Sequence, residues 1–241
     1  MTNKEMLCTA LKQSALELNC TVDDLTGGKS KAVISSTAEG ARKYLSLPFY
    51  CQLVSYGSGI VASVNEEIYA DAKAYIEKYA PEHCFETPNM LVLQSALERR
   101  GMSACFMAEY WLCDTGAIRP LDCGYELRLL TAEDFAPLYT PQWSNALCEK
   151  RKELDVLGIG AYDGEKLVGF AGCSADCESM WQIGVDVLPE YRRRGIASAV
   201  TSRLAAEIMA RGKVPFYCCA WSNVASARNA IRAGFRPAWV E

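Results

Sequence analysis

Residues 185–200, VDVLPEYRRRGIASAV, constrain this chain more than any other stretch. The apolar run that leads into them, MWQIGVDVL (180–188), has the length and side chains of a strand buried on both faces. After it the period changes. Ile196, Val200, Leu204 and Ile208 recur every four residues, as on one face of a helix, and Arg211-Gly212 supplies a basic last turn with a glycine stop. A short turn from strand to helix leaves the first helical N–H groups without intrahelical acceptors, where the macrodipole favours negative charge. Gly195 and Ala197 carry no bulk that would hold a phosphate away, and Arg192, Arg193 and Arg194 add positive charge. The segment therefore reads as a pyrophosphate cradle that uses neither a Walker lysine nor a GxGxxG pattern. The plainer alternative is a tight turn followed by a solvated arginine run.

The rest of the second half is regular. Residues 125–130 read as a strand, and Thr131 with Asp134 forms a capping box for a short helix. The spacing predicts a further helix over 144–153. LGIGAY (157–162) and KLVGFAGCS (166–174) flank Asp163-Gly164, a strong hairpin signal. VPFYCCA (214–220) is a strand, 224–233 a helix closed by Gly234, and FRPAWV (235–240) a last strand. The expected order is β-α-α-β-β-β-α-β-α-β.

The first half is mixed α and β and holds no chemical motif. Residues 3–19 read as an amphipathic helix with Asn3 as its cap. Residues 50–56 and 60–64 read as a hairpin around Gly57-Ser58-Gly59, and Asn65 caps a helix carrying Ile68, Ala72, Ile76 and Tyr79. Thr87-Pro88 opens another helix that Gly101 closes, and 103–112 reads as a strand. Turn formers crowd 113–124, which places the domain boundary there, giving domains 1–122 and 123–241. Gly27-Gly28-Lys29-Ser30 matches the end of a P-loop but lacks its first glycine and a preceding buried strand.

Composition narrows the function. Half of the residues are hydrophobic and 22% are charged, as in an ordinary globular chain. No apolar run approaches the roughly 20 residues of a membrane span, and the first 20 residues interrupt their apolar pattern with Lys, Gln and Glu, unlike a signal peptide. The expectation is a cytoplasmic protein with reduced thiols. Twelve cysteines include no CxxC pair and His83 is the single histidine, so no metal site is expected. A net charge of −4 argues against nucleic acid as a partner. His83 reads as an exposed bystander, and Trp181, Trp221 and Trp239 as core rather than pocket.

Arg192-Arg193-Arg194-Gly195-Ile196-Ala197 fits the R/Q-x-x-G-x-G/A signature of the GNAT (GNAT-fold N-acetyltransferase) superfamily, with Val185, Val187 and Pro189 in register before it. Asn223-Val-Ala-Ser226 followed by Gly234-Phe235 matches that family's second segment. Over residues 123–241 the chain thus resembles GNAT enzymes, and as a whole it resembles a bacterial group with an N-terminal α/β extension.

The resemblance implies an α/β (α+β) GNAT fold, a splayed mixed sheet flanked by helices, beside an N-terminal mixed α/β domain. It implies acetyl-CoA or another acyl-CoA as co-substrate and a small-molecule or peptide amine as acceptor. Val185 and Val187 would pair with the pantetheine arm, and Arg192, Arg193, Arg194, Gly195, Ile196, Ala197 and Ser198 would hold the pyrophosphate. Asn223, with Ser226 nearby, would meet the pantetheine or thioester. Acyl transfer would be direct, a backbone N–H of Val185 or Val187 stabilising the carbonyl oxygen. Relatives often place a tyrosine seven residues after the asparagine as general acid, where this chain has Ala230. For the base, Asp186 and Glu178 are the candidates, with Tyr191, Tyr217 and Ser226 weaker. Asp186 equally fits a carboxylate that bonds neighbouring backbone. The N-terminal half is expected to roof the acceptor side or to be a regulatory or dimerising domain, which makes a homodimer an option. A non-catalytic acyl-CoA sensor is the alternative function.

Overall fold

The computed structural model describes residues 1–241. The chain divides into two compact units, one of Met1–Leu7 with Tyr110–Pro237, the other of Cys8–Glu109 with Ala238–Glu241. No helix is long and apolar enough to cross a membrane.

Helix α1 (Asn3–Leu18), which belongs to the Cys8–Glu109 unit from Cys8 onward, leads to a short α2 (Val22–Thr26) and strand β1 (Lys31–Ile34). Strands β2 (Cys51–Val54) and β3 (Val61–Val64) and helices α3 (Tyr69–Lys78) and α4 (Thr87–Glu98) follow. The expected hairpin forms, with Cys51 opposite Val64 and Val54 opposite Val61. β3 is central and pairs in parallel with β1. All four β3 residues are buried, and Ile60, Ala62 and Val64 join Ile68, Ala72, Ile76 and Leu93 in one core. β1 and α2 were not expected, because four or five residues are too few to show a period. The cap of α1 also differs. Thr2 and Glu5 bond reciprocally, while Asn3 reaches Asp114 and Thr115. As expected, Asn65 Oδ1 accepts from Glu67 N–H at 2.9 Å.

The other unit is built on a seven-stranded mixed sheet. Its strands are β4 (Glu109–Cys113), β5 (Glu126–Thr131), β6 (Asp155–Asp163), β7 (Lys166–Ser174), β8 (Met180–Val187), β9 (Val214–Cys219) and β10 (Phe235–Val240). Helix α5 (Ile196–Ala210) follows β8, and α6 (Val224–Arg232) follows β9. The order across the sheet is β10-β4-β9-β8-β7-β6-β5. β5 to β8 are antiparallel neighbours, and β9 joins β8 in parallel. β4 lies between β9 and β10, so the unit border falls at 109/110 and the turn-rich 113–124 segment lies inside the unit. Residues 103–108 precede the strand instead of forming part of it.

Two local expectations change. No α-helix forms over 144–153. Asp155 takes the N–H of Cys148, which a helix would have turned onto Ser144 O, while Asp186 takes those of Asn145 and Ala146, first-turn donors that a helix leaves unpaired. The chain there runs through 3₁₀ turns, Pro141–Trp143 and Glu149–Leu154, the latter broken at Arg151. β8 is buried at Met180 and Ile183 but only half-buried elsewhere, because β9 leaves it partway along. α5 packs on β6, β7 and β8. Gly169 seats it, since a Cβ there would overlap the Ile196 side chain.

Candidate functional site

β8 pairs with β9 only from Met180–Val214 to Ile183–Tyr217. It keeps β7 on its other edge through the Val187–Gly169 pair. The stretch 184–187 therefore has one open edge. Leu188 N–H donates to Val168 O at 3.0 Å, so even-numbered residues address β7. Main-chain groups alternate in direction along a strand, which turns those of Val185 and Val187 toward the open edge.

The open edge leads into the turn. Pro189–Tyr191 form a 3₁₀ turn, and Arg193 (φ 64°) and Gly195 (φ 81°) both adopt left-handed backbone before α5 starts. A Cβ at Gly195 would meet nothing within 4 Å, so conformation rather than crowding calls for glycine there. No side chain caps α5, and the first bond into it runs from Ala199 N–H to Gly195 O at 3.1 Å. The amides of Ile196, Ala197 and Ser198 thus have no acceptor within the helix.

A cavity of about 220 Å³ opens at this helix start. Of the residues expected to hold a cofactor, Val187, Arg192, Arg193, Gly195, Ile196, Ala197 and Ser198 line it. Arg192 Nε also donates to Val187 O at 3.3 Å. Arg194 does not line the cavity. Its guanidinium donates to Tyr125 Oη at 2.8 Å and Glu190 O at 3.2 Å and lies over the Tyr191 ring. Arg194 therefore braces the turn from behind, because the two left-handed residues on either side of it point its side chain the other way.

The opposite wall comes from α6: Ala225, Arg228, Asn229 and Arg232. Sequence reasoning missed these three polar side chains. Their signal was the spacing, since 225, 228, 229 and 232 are i, i+3, i+4 and i+7 and share one helix face. Four arginines and no carboxylate line the cavity, a field suited to a polyanion. Asn229 ties the two helices together. Its Oδ1 accepts from Ser198 Oγ at 3.1 Å, and its Nδ2 donates to Thr201 Oγ1 at 3.2 Å.

Asn223 caps α6, its Oδ1 accepting from Ser226 N–H at 3.1 Å. Ser226 Oγ lies 2.6 Å from Tyr217 Oη. Tyr217 is buried, and burial pushes its phenol up.

The two carboxylates expected as bases are engaged or remote. Asp186 accepts from Asn145 N–H, Asn145 Nδ2 and Ala146 N–H at 2.9, 2.6 and 3.0 Å. It latches residues 145–146 onto the sheet over Gly172 and Gly184, which lie opposite each other in β7 and β8. A Cβ on either glycine would overlap the main chain of that segment. This is the backbone-bonding alternative for Asp186. Glu178 precedes β8 at the end away from the splay, roughly 20 Å along extended chain from Val185. In the other unit, burial pushes the Cys20 and Cys51 thiols up to about 12 and Cys84 to about 11, which does not suit these three to nucleophilic work.

Residues 92–238 match the family model described as GNAT acetyltransferase. No curated protein matches the chain. Among solved structures, the chain is similar to a putative GNAT-family acetyltransferase from Novosphingobium aromaticivorans, at 23% identity and TM-score 0.46, over 56% of this chain and 61% of that one. A GCN5-related N-acetyltransferase-like protein from Streptococcus suis aligns at 19% identity and TM-score 0.45, over the same 56% and 61%. A GCN5-related N-acetyltransferase from Sphaerobacter thermophilus aligns at 15% identity and TM-score 0.49, over 76% of this chain and 70% of that one. The chain thus spans 61% of the length of the first two.

Proposed function

Because the chain belongs to the GNAT acetyltransferase family, we propose that it transfers an acyl group, acetyl in the first instance, directly from acyl-CoA to an amine of a small molecule or peptide. The observation that carries this reading is the continuity of the open β8 edge with the uncapped start of α5. A pantetheine arm lying along Val185 and Val187 as an added strand would deliver its pyrophosphate to the amides of residues 196–198 and to Arg192, Arg193, Arg228 and Arg232. The thioester would then lie near Ile183 and Tyr217, where the two strands separate. In this reading a Val185 main-chain N–H, already turned to the open edge, stabilises charge on the thioester oxygen. No carboxylate is assigned as base, and a neutral amine attacks without one.

CoA is expected to raise the melting temperature. A ligand at 100 times its Kd stabilises the folded state by about 2.7 kcal/mol, which for a chain of this size is a shift of several degrees. No shift at millimolar CoA sinks the proposal. Thiol release from acetyl-CoA across a panel of amines tests the chemistry, and CoA binding without turnover on any amine favours the acyl-CoA sensor instead. The missed arginines give a finer check. Arg228→Ala or Arg232→Ala is expected to weaken CoA binding by about tenfold, the loss of one charge-assisted contact. Calorimetric titration reads this directly, and unchanged affinity in both variants removes α6 from the phosphate site.

A further inference from the structure

With Ala230 on α6, the family's usual position offers no proton for the departing sulfur. The structure places hydroxyl groups elsewhere at the fork. Tyr217 is the last β9 residue paired with β8, its partner being Ile183. Odd-numbered residues of β8 turn their side chains to the α5 face, as Val187 does at the cavity beside Ile196 and Ala197. From β9, Tyr217 reaches α6, where its Oη lies 2.6 Å from Ser226 Oγ. Asn229, which lines the cavity and holds Ser198 and Thr201, follows Ser226 by three residues on the same face of α6. Ser226 is only half-buried, whereas Tyr217 is 3% exposed. The pair therefore runs from a closed interior to a more open face of α6.

Building on the acyl-transfer reading, we infer that the Tyr217–Ser226 hydroxyl pair protonates the departing CoA sulfur, with Asn229 as the positioning residue. The amine nitrogen bonds to the thioester carbon, the C–S bond breaks, and its electron pair goes to sulfur. Ser226 Oγ gives its proton to that sulfur and takes the phenol proton of Tyr217. The surplus proton on the new amide nitrogen leaves to solvent, and solvent reprotonates Tyr217 once CoA has gone. Burial raises the phenol pKa, which keeps Tyr217 a neutral donor between turnovers.

The test reads the thiol of bound CoA by its ultraviolet thiolate absorbance as pH is varied. A hydroxyl that donates to the thiolate favours the charged form and lowers that thiol's pKa. The titratable groups acting on Tyr217 are Cys218 and Cys219 of its own strand. α6 faces it with Ser226 and Asn229, β10 with the Phe235 ring, and β8 pairs it with Ile183, none of which titrates. The cavity arginines stay charged and are common to every variant. In Tyr217→Phe and Ser226→Ala the thiol pKa is expected to rise by about one unit and kcat to fall about 10²-fold, with the CoA Kd within about twofold. An unchanged thiol pKa in both variants, with CoA bound, overturns the inference and leaves the acyl-CoA reading standing. Failure of the parent protein to bind CoA overturns both. If the parent binds CoA but turns over no amine, the acyl-transfer reading fails and this inference with it. If Tyr217→Phe does not fold, Ser226→Ala decides.

Discussion

Gly195→Glu abolishes CoA binding while the protein stays folded. Gly195 immediately precedes α5 with φ 81°, and a Cβ there meets nothing within 4 Å. Any side chain at this position is accommodated in space and strained in conformation, at about 1–3 kcal/mol. A glutamate adds a carboxylate to a cavity that four arginines line, at the helix end where negative charge is drawn in. That carboxylate pairs with the arginines and repels a pyrophosphate, so an affinity loss of at least about 10²-fold is expected from two or more forfeited charge-assisted contacts. Gly195→Ala separates the two effects. It carries the same backbone strain without the charge, so it lowers the denaturation midpoint to a similar extent yet keeps most CoA binding. Calorimetric titration beside thermal denaturation of both variants checks this. Parent-like CoA affinity in Gly195→Glu would falsify the phosphate assignment.

Arg42→Ala lowers stability by about 3–5 kcal/mol, the usual cost of leaving a buried charge without its partner. Arg42 is 3% exposed and pairs with Glu17 Oε2 at 2.7 Å and Glu241 Oε1 at 2.8 Å, carboxylates that are themselves 1% and 8% exposed. Burial opposes the Arg42 charge, and Glu241, Tyr44 and Glu17 more than restore it, so the guanidinium sits well above its ordinary value. Its removal strands two carboxylates in the interior. A loss of this size is a large share of the margin of about 5–15 kcal/mol typical of a domain. Urea denaturation is the measurement, and a midpoint within experimental error of the parent refutes the account of this cluster. Because Glu17, Arg42 and Glu241 belong to the same compact unit, the loss should appear in the transition that unfolds Cys8–Glu109.

Sequence pattern alone fixed much of the site. The strand at 180–187, the turn with its glycine, the helix from Ile196 and the helix from Val224 all depend on neighbours within a few positions, and each is found where the pattern put it. The same holds for the Asp163-Gly164 hairpin, whose Gly164 has φ 61°. Short-range signals of this kind survive folding because the local backbone has few alternatives once a left-handed residue or a capping oxygen is required.

What the chain could not disclose is what depends on partners distant in sequence. The orientation of Arg194 away from the cavity depends on Tyr125, and the role of Asp186 depends on amides 40 or 41 residues earlier. The helix pattern over 144–153 breaks at Cys148, whose N–H goes to the Asp155 carboxylate, because a tertiary acceptor outweighs a propensity worth only tenths of a kcal/mol per residue. β4 reads as a strand in sequence, but nothing local says that it enters the sheet between β9 and β10. The sequence by itself determined the pieces of the phosphate turn. The tertiary structure decided where β8 and β9 part, which arginines face the cavity and which hydroxyls meet at the fork, because these are distances between elements and no local pattern encodes them.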